Sequence, residues 1–186
     1  MDTIPDQLRA NLLRAQTLTA GLTDQQFNWR PEPGRWSVAE CLAHLNTTNQ
    51  LDVEPLRLAI TEGRRRGIKG GPPFRYGWLS RKFISMLEPP VTTKMKAPAA
   101  YAPPSEARLA PTLGSYEKLV QTFADLYDSA TGLDLARIKT TFPALPSALQ
   151  PLLRMPVGAR FEALAAHDRR HLWQAEQVLR KLKDGS

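Results

Sequence analysis

The C-terminal stretch FEALAAHDRRHLWQAEQVLRKL constrains the fold most, because its apolar residues recur at helical spacing over several turns. We predict a helix over about 157–182. Its inward face is predicted to carry Leu164, His167, His171, Gln174 or Ala175, Val178 and Leu182. Two central positions of that face are histidine, where a helical bundle normally places leucine or valine.

The chain has three histidines, and the third, His44, lies far upstream in WSVAECLAHL. Residues four apart on a helix project from one face, so His167 and His171 lie one turn apart. Burying both imidazoles without a partner would cost on the order of 1–3 kcal/mol each. Three neutral imidazoles suit late first-row metal ions and leave positions open for water or substrate. We therefore predict a divalent metal held by His44, His167 and His171. Histidines that only pack in the core, or that pair at the surface, remain alternatives.

Four further segments have helical patterns, over about 5–20, 37–66, 75–88 and 113–131. The second opens with a capping box formed by Ser37 and Glu40, and Pro55 within it predicts a kink or a break. Residues 22–36 are predicted to form an ordered loop. Six prolines predict an extended crossover over 89–111, and four more predict irregular structure over 133–156. We expect an all-α four-helix bundle with long crossover connections and one short extra helix, in a single domain over 1–186.

Several polar side chains could support a metal site. Gln174 lies three residues after His171 and could bind a ligating imidazole or a metal-bound water, although a solvated glutamine is an equal alternative. Asp52 lies two turns after His44 and is a candidate acid or base. Cys41 could approach the metal, but a small buried apolar role is favoured. Four other side chains are expected to have structural roles only. Glu162 and Asp168 are predicted to be surface charges, and Trp36 and Trp173 are predicted to be packing residues.

Composition and motifs exclude several function classes. The chain has no apolar run of 18 or more residues, which indicates no membrane span. The N-terminus lacks an apolar signal core and there is one cysteine, so we expect a cytoplasmic protein. The sequence contains no GxSxG elbow, Walker loop or dinucleotide fingerprint, and the HDRRH segment lacks the glutamate of HExxH. A net charge of +7 permits nucleic-acid binding, but no recognised motif accompanies it, so we expect none.

Three segments of the chain, WRPEPGRWSVAECLAHL, KMKAPAAYAP and HDRRHLWQAEQVL, resemble the DinB/YfiT-like superfamily of metal-dependent proteins. The resemblance covers almost the whole chain and implies a four-helix bundle with an unusual helix order. It also implies a metal site with one histidine from the second helix and two from the last. The positions here are His44, His167 and His171, and all three are intact.

The resemblance implies nickel or zinc as the metal, with iron or manganese as further candidates, and a homodimer. Relatives with known activity transfer low-molecular-weight thiols or isomerise with them. The leading hypothesis is therefore a metal-dependent thiol S-transferase acting on an electrophilic small molecule. A metal-dependent hydrolase and a non-catalytic metal- or ligand-binding bundle remain the alternatives.

Overall fold

The structure, a computed structural model, describes residues 3–90, 101–142 and 153–184. These residues are mostly helical, as predicted for an all-α chain. The elements are α1 (Ile4–Thr19), α2 (Asp24–Asn28), α3 (Val38–Arg65), α4 (Trp78–Leu87), α5 (Leu109–Ser129), β1 (Lys139–Thr141), β2 (Arg154–Pro156) and α6 (Val157–Asp184). In the described residues, no helix combines the length and apolarity that crossing a membrane requires.

Reciprocal caps begin the first three helices. The predicted capping box of α3 is confirmed: Ser37 Oγ accepts from the Glu40 N–H, and the Glu40 carboxylate accepts from the Ser37 N–H. The predicted loop over 22–36 is wrong in part, because it contains the short helix α2. That helix also begins with a capping box, formed by Thr23 and Gln26. The sequence pattern for it was therefore present within the predicted loop.

Prolines interrupt the helices less than predicted. Helix α3 runs through Pro55 without ending, so of the two predicted effects, a kink or a break, the break does not occur. The carbonyl that loses its partner belongs to Leu51, which is exposed, so water can hydrate it. Helix α5 begins at Leu109, four residues before the predicted start, with Pro111 in its first turn. A proline is tolerated there because first-turn N–H groups have no partner within the helix.

The region predicted to be irregular over 133–156 contains two short antiparallel strands. Thr140 of β1 pairs with Met155 of β2, and Lys139 pairs with Pro156. The prediction of irregular structure over 133–156 is therefore wrong in part. The sequence did not reveal the strands because three residues are too few for a recognisable alternation, and their pairing depends on residues distant in sequence. The residues 143–152 of this region, and 91–100 of the predicted crossover, lie outside the described part of the chain.

Packing of the long helices determines where the site lies. Helices α1 and α3 each pack against both α5 and α6, and α4 packs against α6. The core between them is apolar and includes the edge-to-face pairs of Phe161 with Phe123 and Tyr127. Because α3 and α6 are direct neighbours, the helix of His44 faces the helix of His167 and His171.

Candidate metal centre

The three histidines converge, as the sequence predicted. His44 lies in the second turn of α3, and His167 and His171 lie one turn apart in the middle of α6. One ring nitrogen of each lies within 4.8 Å of the others. The ring centroids are 4.5 Å apart for His44 and His171, 4.5 Å for His167 and His171, and 5.3 Å for His44 and His167. The cluster could hold a metal ion.

A hydrogen bond orients the His44 ring. Its Nδ1 lies 2.6 Å from the carbonyl oxygen of Tyr101. A carbonyl oxygen only accepts hydrogen bonds, so Nδ1 carries the proton and donates it. The lone pair of the neutral ring is therefore on Nε2, where a metal can bind it. Such a contact is typical of metal-binding imidazoles.

The two histidines of α6 bring their Nε2 atoms to 3.1 Å of each other. The Nδ1 atom of His171 is buried and has no hydrogen-bond partner among the described residues. The amide oxygen of Gln174, one turn further along, is also buried and without a partner in the same part of the chain. A cation bound by the two Nε2 atoms would leave the Nδ1 atom of His171 as an N–H donor next to this acceptor. These orphaned atoms therefore fit a bound metal.

Burial keeps the cluster uncharged. It lowers the pKa of His167 to about 3, an effect increased by nearby His44, Arg160 and Arg170. Burial also lowers the pKa of His171, and His167 adds to this effect. The pKa of His44 is lowered by burial, against the effect of its bond to the Tyr101 carbonyl. All three rings are consequently neutral at pH 7, which is the form that binds metals.

Trp36 contacts two of the three rings. Its ring lies 5.6 Å from that of His171 at an interplanar angle of 28°, and 4.9 Å from that of His44 at 50°. The indole is half-buried and also packs against the core. The packing role predicted for Trp36 therefore includes one wall of the histidine cluster.

The prediction for Asp168 is wrong. It was expected at the surface, yet it is fully buried. The Tyr116 hydroxyl donates to its Oδ2 at 2.8 Å, and the Asn49 amide donates to its Oδ1 at 3.2 Å. Burial raises its pKa to about 7, although both hydrogen bonds oppose the shift. The error arose because α6 contacts α1, α3 and α4, so more than one stripe of the helix is covered.

Glu162 also differs from its prediction. It was expected at the surface, but the side chain is half-buried next to Tyr76. Burial raises the pKa of its carboxyl group, against a hydrogen bond from Tyr76 and the charge of Arg169. Helix α4 packs against α6, and Tyr76, in the chain leading to α4, packs against the apolar cluster that includes Ala159 and Ala163 of α6.

The remaining candidates occupy different surroundings. Asp52 is buried two turns after His44, and both its oxygens accept hydrogen bonds from Arg160 at 2.6 Å. Gln174 is half-buried and acts to raise the pKa of His171, against the larger effect of burial. Cys41 lies in the apolar core, and burial raises its pKa to about 12. A thiol that stays protonated in the core has the small apolar role that the sequence favoured.

Two residues near the histidines were not predicted. Arg160 lies seven positions before His167, a spacing that places both on one face of α6, so the helical pattern contained a signal for it. Tyr101 had no such signal, because its contact with His44 joins residues 57 positions apart.

Comparison with known proteins identifies a family. The sequence profile described as the DinB superfamily matches residues 7–175. A search of curated proteins and a search of solved structures each gave no match. The profile match covers most of the chain and includes all three histidines, so the chain belongs to the DinB superfamily.

Proposed function

We propose that this member of the DinB superfamily is a metal-dependent enzyme that holds a nickel or zinc ion with His44, His167 and His171. One observation supports this most strongly: three neutral imidazoles bring their ring nitrogens within 4.8 Å of one another. Three histidine ligands leave coordination positions open for a substrate. The packing of α1, α3, α5 and α6 supports the further proposal that the fold is the four-helix bundle of this family.

The proposed reaction is S-transfer from a low-molecular-weight thiol to an electrophilic small molecule. A bound divalent ion would lower the pKa of the thiol and hold it as the thiolate. The sulfur forms a bond to an electrophilic carbon, the leaving group departs with its electron pair, and the thiol proton passes to solvent. Tyr101 orients His44 through its carbonyl oxygen, and Trp36 forms one side of the site. Asp52 and Gln174 stay predictions as catalytic residues.

The metal part of the proposal is tested by metal content. The purified protein is expected to contain about one divalent ion per chain, measured by mass spectrometry, or to take one up after reconstitution. The variants His44→Ala and His171→Ala should lose it, because two imidazoles bind much more weakly than three. Arg180→Ala, which changes an exposed side chain of α6, is the matched control and should retain the metal. A wild-type protein that takes up no divalent ion would contradict the proposal.

The reaction is tested with the metal-loaded protein and monochlorobimane, an electrophile that becomes fluorescent when a thiol displaces its chloride. Turnover with one member of a panel of low-molecular-weight thiols, lost in His44→Ala, is expected. Release of acid from an ester panel without thiol consumption would favour a hydrolase. Stable metal binding without turnover in either panel would identify a non-catalytic binding bundle.

We also propose that the protein forms homodimers and does not bind nucleic acid. Sedimentation velocity gives the oligomeric state directly, and a single monomeric species would exclude the dimer. Retention of labelled DNA at low salt, weakening steeply as salt is added, would contradict the second part.

A further inference from the structure

The interface between α3 and α6 contains an ion pair in addition to the histidine cluster. Asp52 follows His44 by two turns on α3, and Arg160 precedes His167 by two turns on α6. Arg160 and Asp52 bind each other across the interface. The two helices are therefore antiparallel here, and the backbone positions of the ion pair lie two helical turns, about 10 Å, from those of the histidines along the helix axis.

The Arg160 guanidinium is oriented by two neighbours, and one of its nitrogens donates no hydrogen bond to a described residue. Its Nε and Nη2 atoms donate to Asp52, and its guanidinium lies 4.7 Å from the centre of the Phe142 ring. No described residue accepts a hydrogen bond from the remaining nitrogen, Nη1. The side chain is 13% exposed, while that of Asp52 is 3% exposed. Two contacts thus orient a planar donor group whose third nitrogen has no partner in the described part of the chain.

Tyr101 connects this ion pair to the histidine cluster. Its carbonyl oxygen accepts the hydrogen bond from His44. Its side chain is half-buried and close enough to Asp52 and Arg160 for their charges to act on its pKa, which burial raises. The hydroxyl has no hydrogen-bond partner among the residues that the structure describes. Tyr101 therefore contacts the cluster through its carbonyl oxygen and brings a second donor, without a partner among the described residues, near Asp52 and Arg160.

We infer that Arg160 Nη1 and the Tyr101 hydroxyl bind a carboxylate carried by the thiol substrate, while the histidine cluster receives its sulfur end. The inference rests on the proposed function and adds the chemical class of the thiol. Asp52 already balances the charge of Arg160, so three neutral imidazoles with a divalent ion leave the interface with a net positive charge. That charge favours an anionic ligand.

The spacing also selects the length of the thiol. The residues at the two ends of the site are two helical turns apart along α6. A thiol whose carboxylate is one carbon from the sulfur is too short to reach from one end to the other, whereas a chain of several atoms is long enough. The site therefore discriminates by charge and by length together. Neither a short acidic thiol nor a long uncharged thiol satisfies both ends.

The experiment uses protein loaded with cobalt(II), since a thiolate on this ion gives a near-ultraviolet charge-transfer band that reports binding without turnover. The probes are mercaptohexanoate, mercaptohexanol and mercaptoacetate, which separate charge from length. We expect wild-type protein to bind mercaptohexanoate at least about tenfold more tightly than the other two, the effect of one charge-assisted hydrogen bond.

Variants then test whether Arg160 and Tyr101 cause the preference for mercaptohexanoate. Arg160→Gln alone leaves a buried carboxylate unpaired and could prevent folding, so the variant is the double change Asp52→Asn with Arg160→Gln. It should bind cobalt and mercaptohexanol as wild type does, but lose the preference for mercaptohexanoate. Tyr101→Phe should lose part of it. Arg180→Gln removes one exposed positive charge of α6 and should change nothing.

Two results would overturn the inference separately from the proposed function. Equal affinity for mercaptohexanoate and mercaptohexanol in wild-type protein refutes carboxylate binding, while the band itself upholds thiol binding at the metal. A preference that persists in the double variant refutes the role of Arg160. The absence of a band with every thiol overturns the proposed S-transfer, and the inference with it.

Discussion

At the scale of the residue, the carboxylate of Asp168 lies in the interior directly after His167. Tyr116 and Asn49 donate to it from α5 and α3, so three helices meet at one side chain. Two neutral donors compensate only part of the cost of burying a charge, and the pKa of Asp168 is accordingly raised to about 7. The residue is held in place by its donors, yet its ionisation opposes folding.

The pH dependence of stability tests this description. The ordinary pKa of the carboxyl group is 3.8 and the folded value is about 7. Between these values the folded state binds more protons than the unfolded state, so the contribution of Asp168 to the free energy of unfolding falls as pH rises. Asparagine at this position does not titrate, so the variant lacks this decrease in the free energy of unfolding. We expect metal-free Asp168→Asn to gain stability relative to wild type from about pH 4 to pH 7, measured by urea denaturation.

The control for this comparison is the variant Asp125→Asn, which neutralises an exposed acid of α5. Its stability relative to wild type should stay nearly constant over the same pH range. A constant difference for Asp168→Asn as well would show that the buried carboxyl group has an ordinary pKa.

At the scale of the element, the first turns of α3 link the helix cap to the site. Trp36 contacts the imidazoles, and Ser37 and Glu40 form the cap. Glu40 also accepts two hydrogen bonds from Arg30, which ties the preceding loop to the helix. His44 follows within two turns, so the position of its ring depends on how well this helix end is formed.

Removing the cap should therefore affect both stability and metal binding. Ser37→Ala leaves the Glu40 N–H without its acceptor and is expected to cost about 1 kcal/mol in the free energy of unfolding. It should also weaken metal binding several-fold, measured by competition with a chelating dye, because the helix end that carries His44 and Trp36 loosens.

Thr3→Ala removes the corresponding cap of α1, where Thr3 Oγ1 accepts from the Asp6 N–H. It should lower stability to a similar or smaller degree and leave metal affinity unchanged, since α1 carries none of the three histidines. Equal metal affinity in both variants would mean that the cap of α3 does not position the site.

At the scale of the whole molecule, the histidine cluster joins distant parts of the chain. His44 comes from the N-terminal half and His167 and His171 from the last helix, and the cluster forms only when α3 and α6 pack together. A ligand that binds the folded state alone stabilises it by mass action. The proposed metal binding would therefore be linked to the packing of these two helices.

The melting temperature measures this linkage. Zinc or nickel at about one hundred times its dissociation constant should stabilise the protein by roughly 2.7 kcal/mol, which raises the melting temperature by several degrees. His167→Ala should show no such increase. The fluorescence of Trp36 should change at the same metal concentrations, and Trp36→Phe identifies its share of the signal. A wild-type melting temperature that does not respond to either metal would contradict the linkage.

Local patterns in the sequence predicted much of this protein. The capping box at Ser37, the helical stripe of α6 and the one-turn spacing of His167 and His171 were all recognisable, because each depends on residues within one or two turns. His44 completed the predicted set because it is the third histidine of the chain and lies on another predicted helix, and the family resemblance implied the same three positions. The same local reasoning missed α2, because it gave the composition of the loop more weight than the capping pair Thr23 and Gln26. It also missed the start of α5, because it did not allow for Pro111 in the first turn of a helix.

Only the tertiary structure decided which faces of the helices are covered and which distant groups meet. The burial of Asp168, the bond between His44 and Tyr101, and the pairing of Arg160 with Asp52 each join residues more than fifty positions apart. No periodicity within a helix carries that information, because a helix repeats its own faces without showing which neighbour will pack on each. The three histidines of the cluster were therefore predictable from the sequence, while their surroundings depended on how α3, α5 and α6 pack.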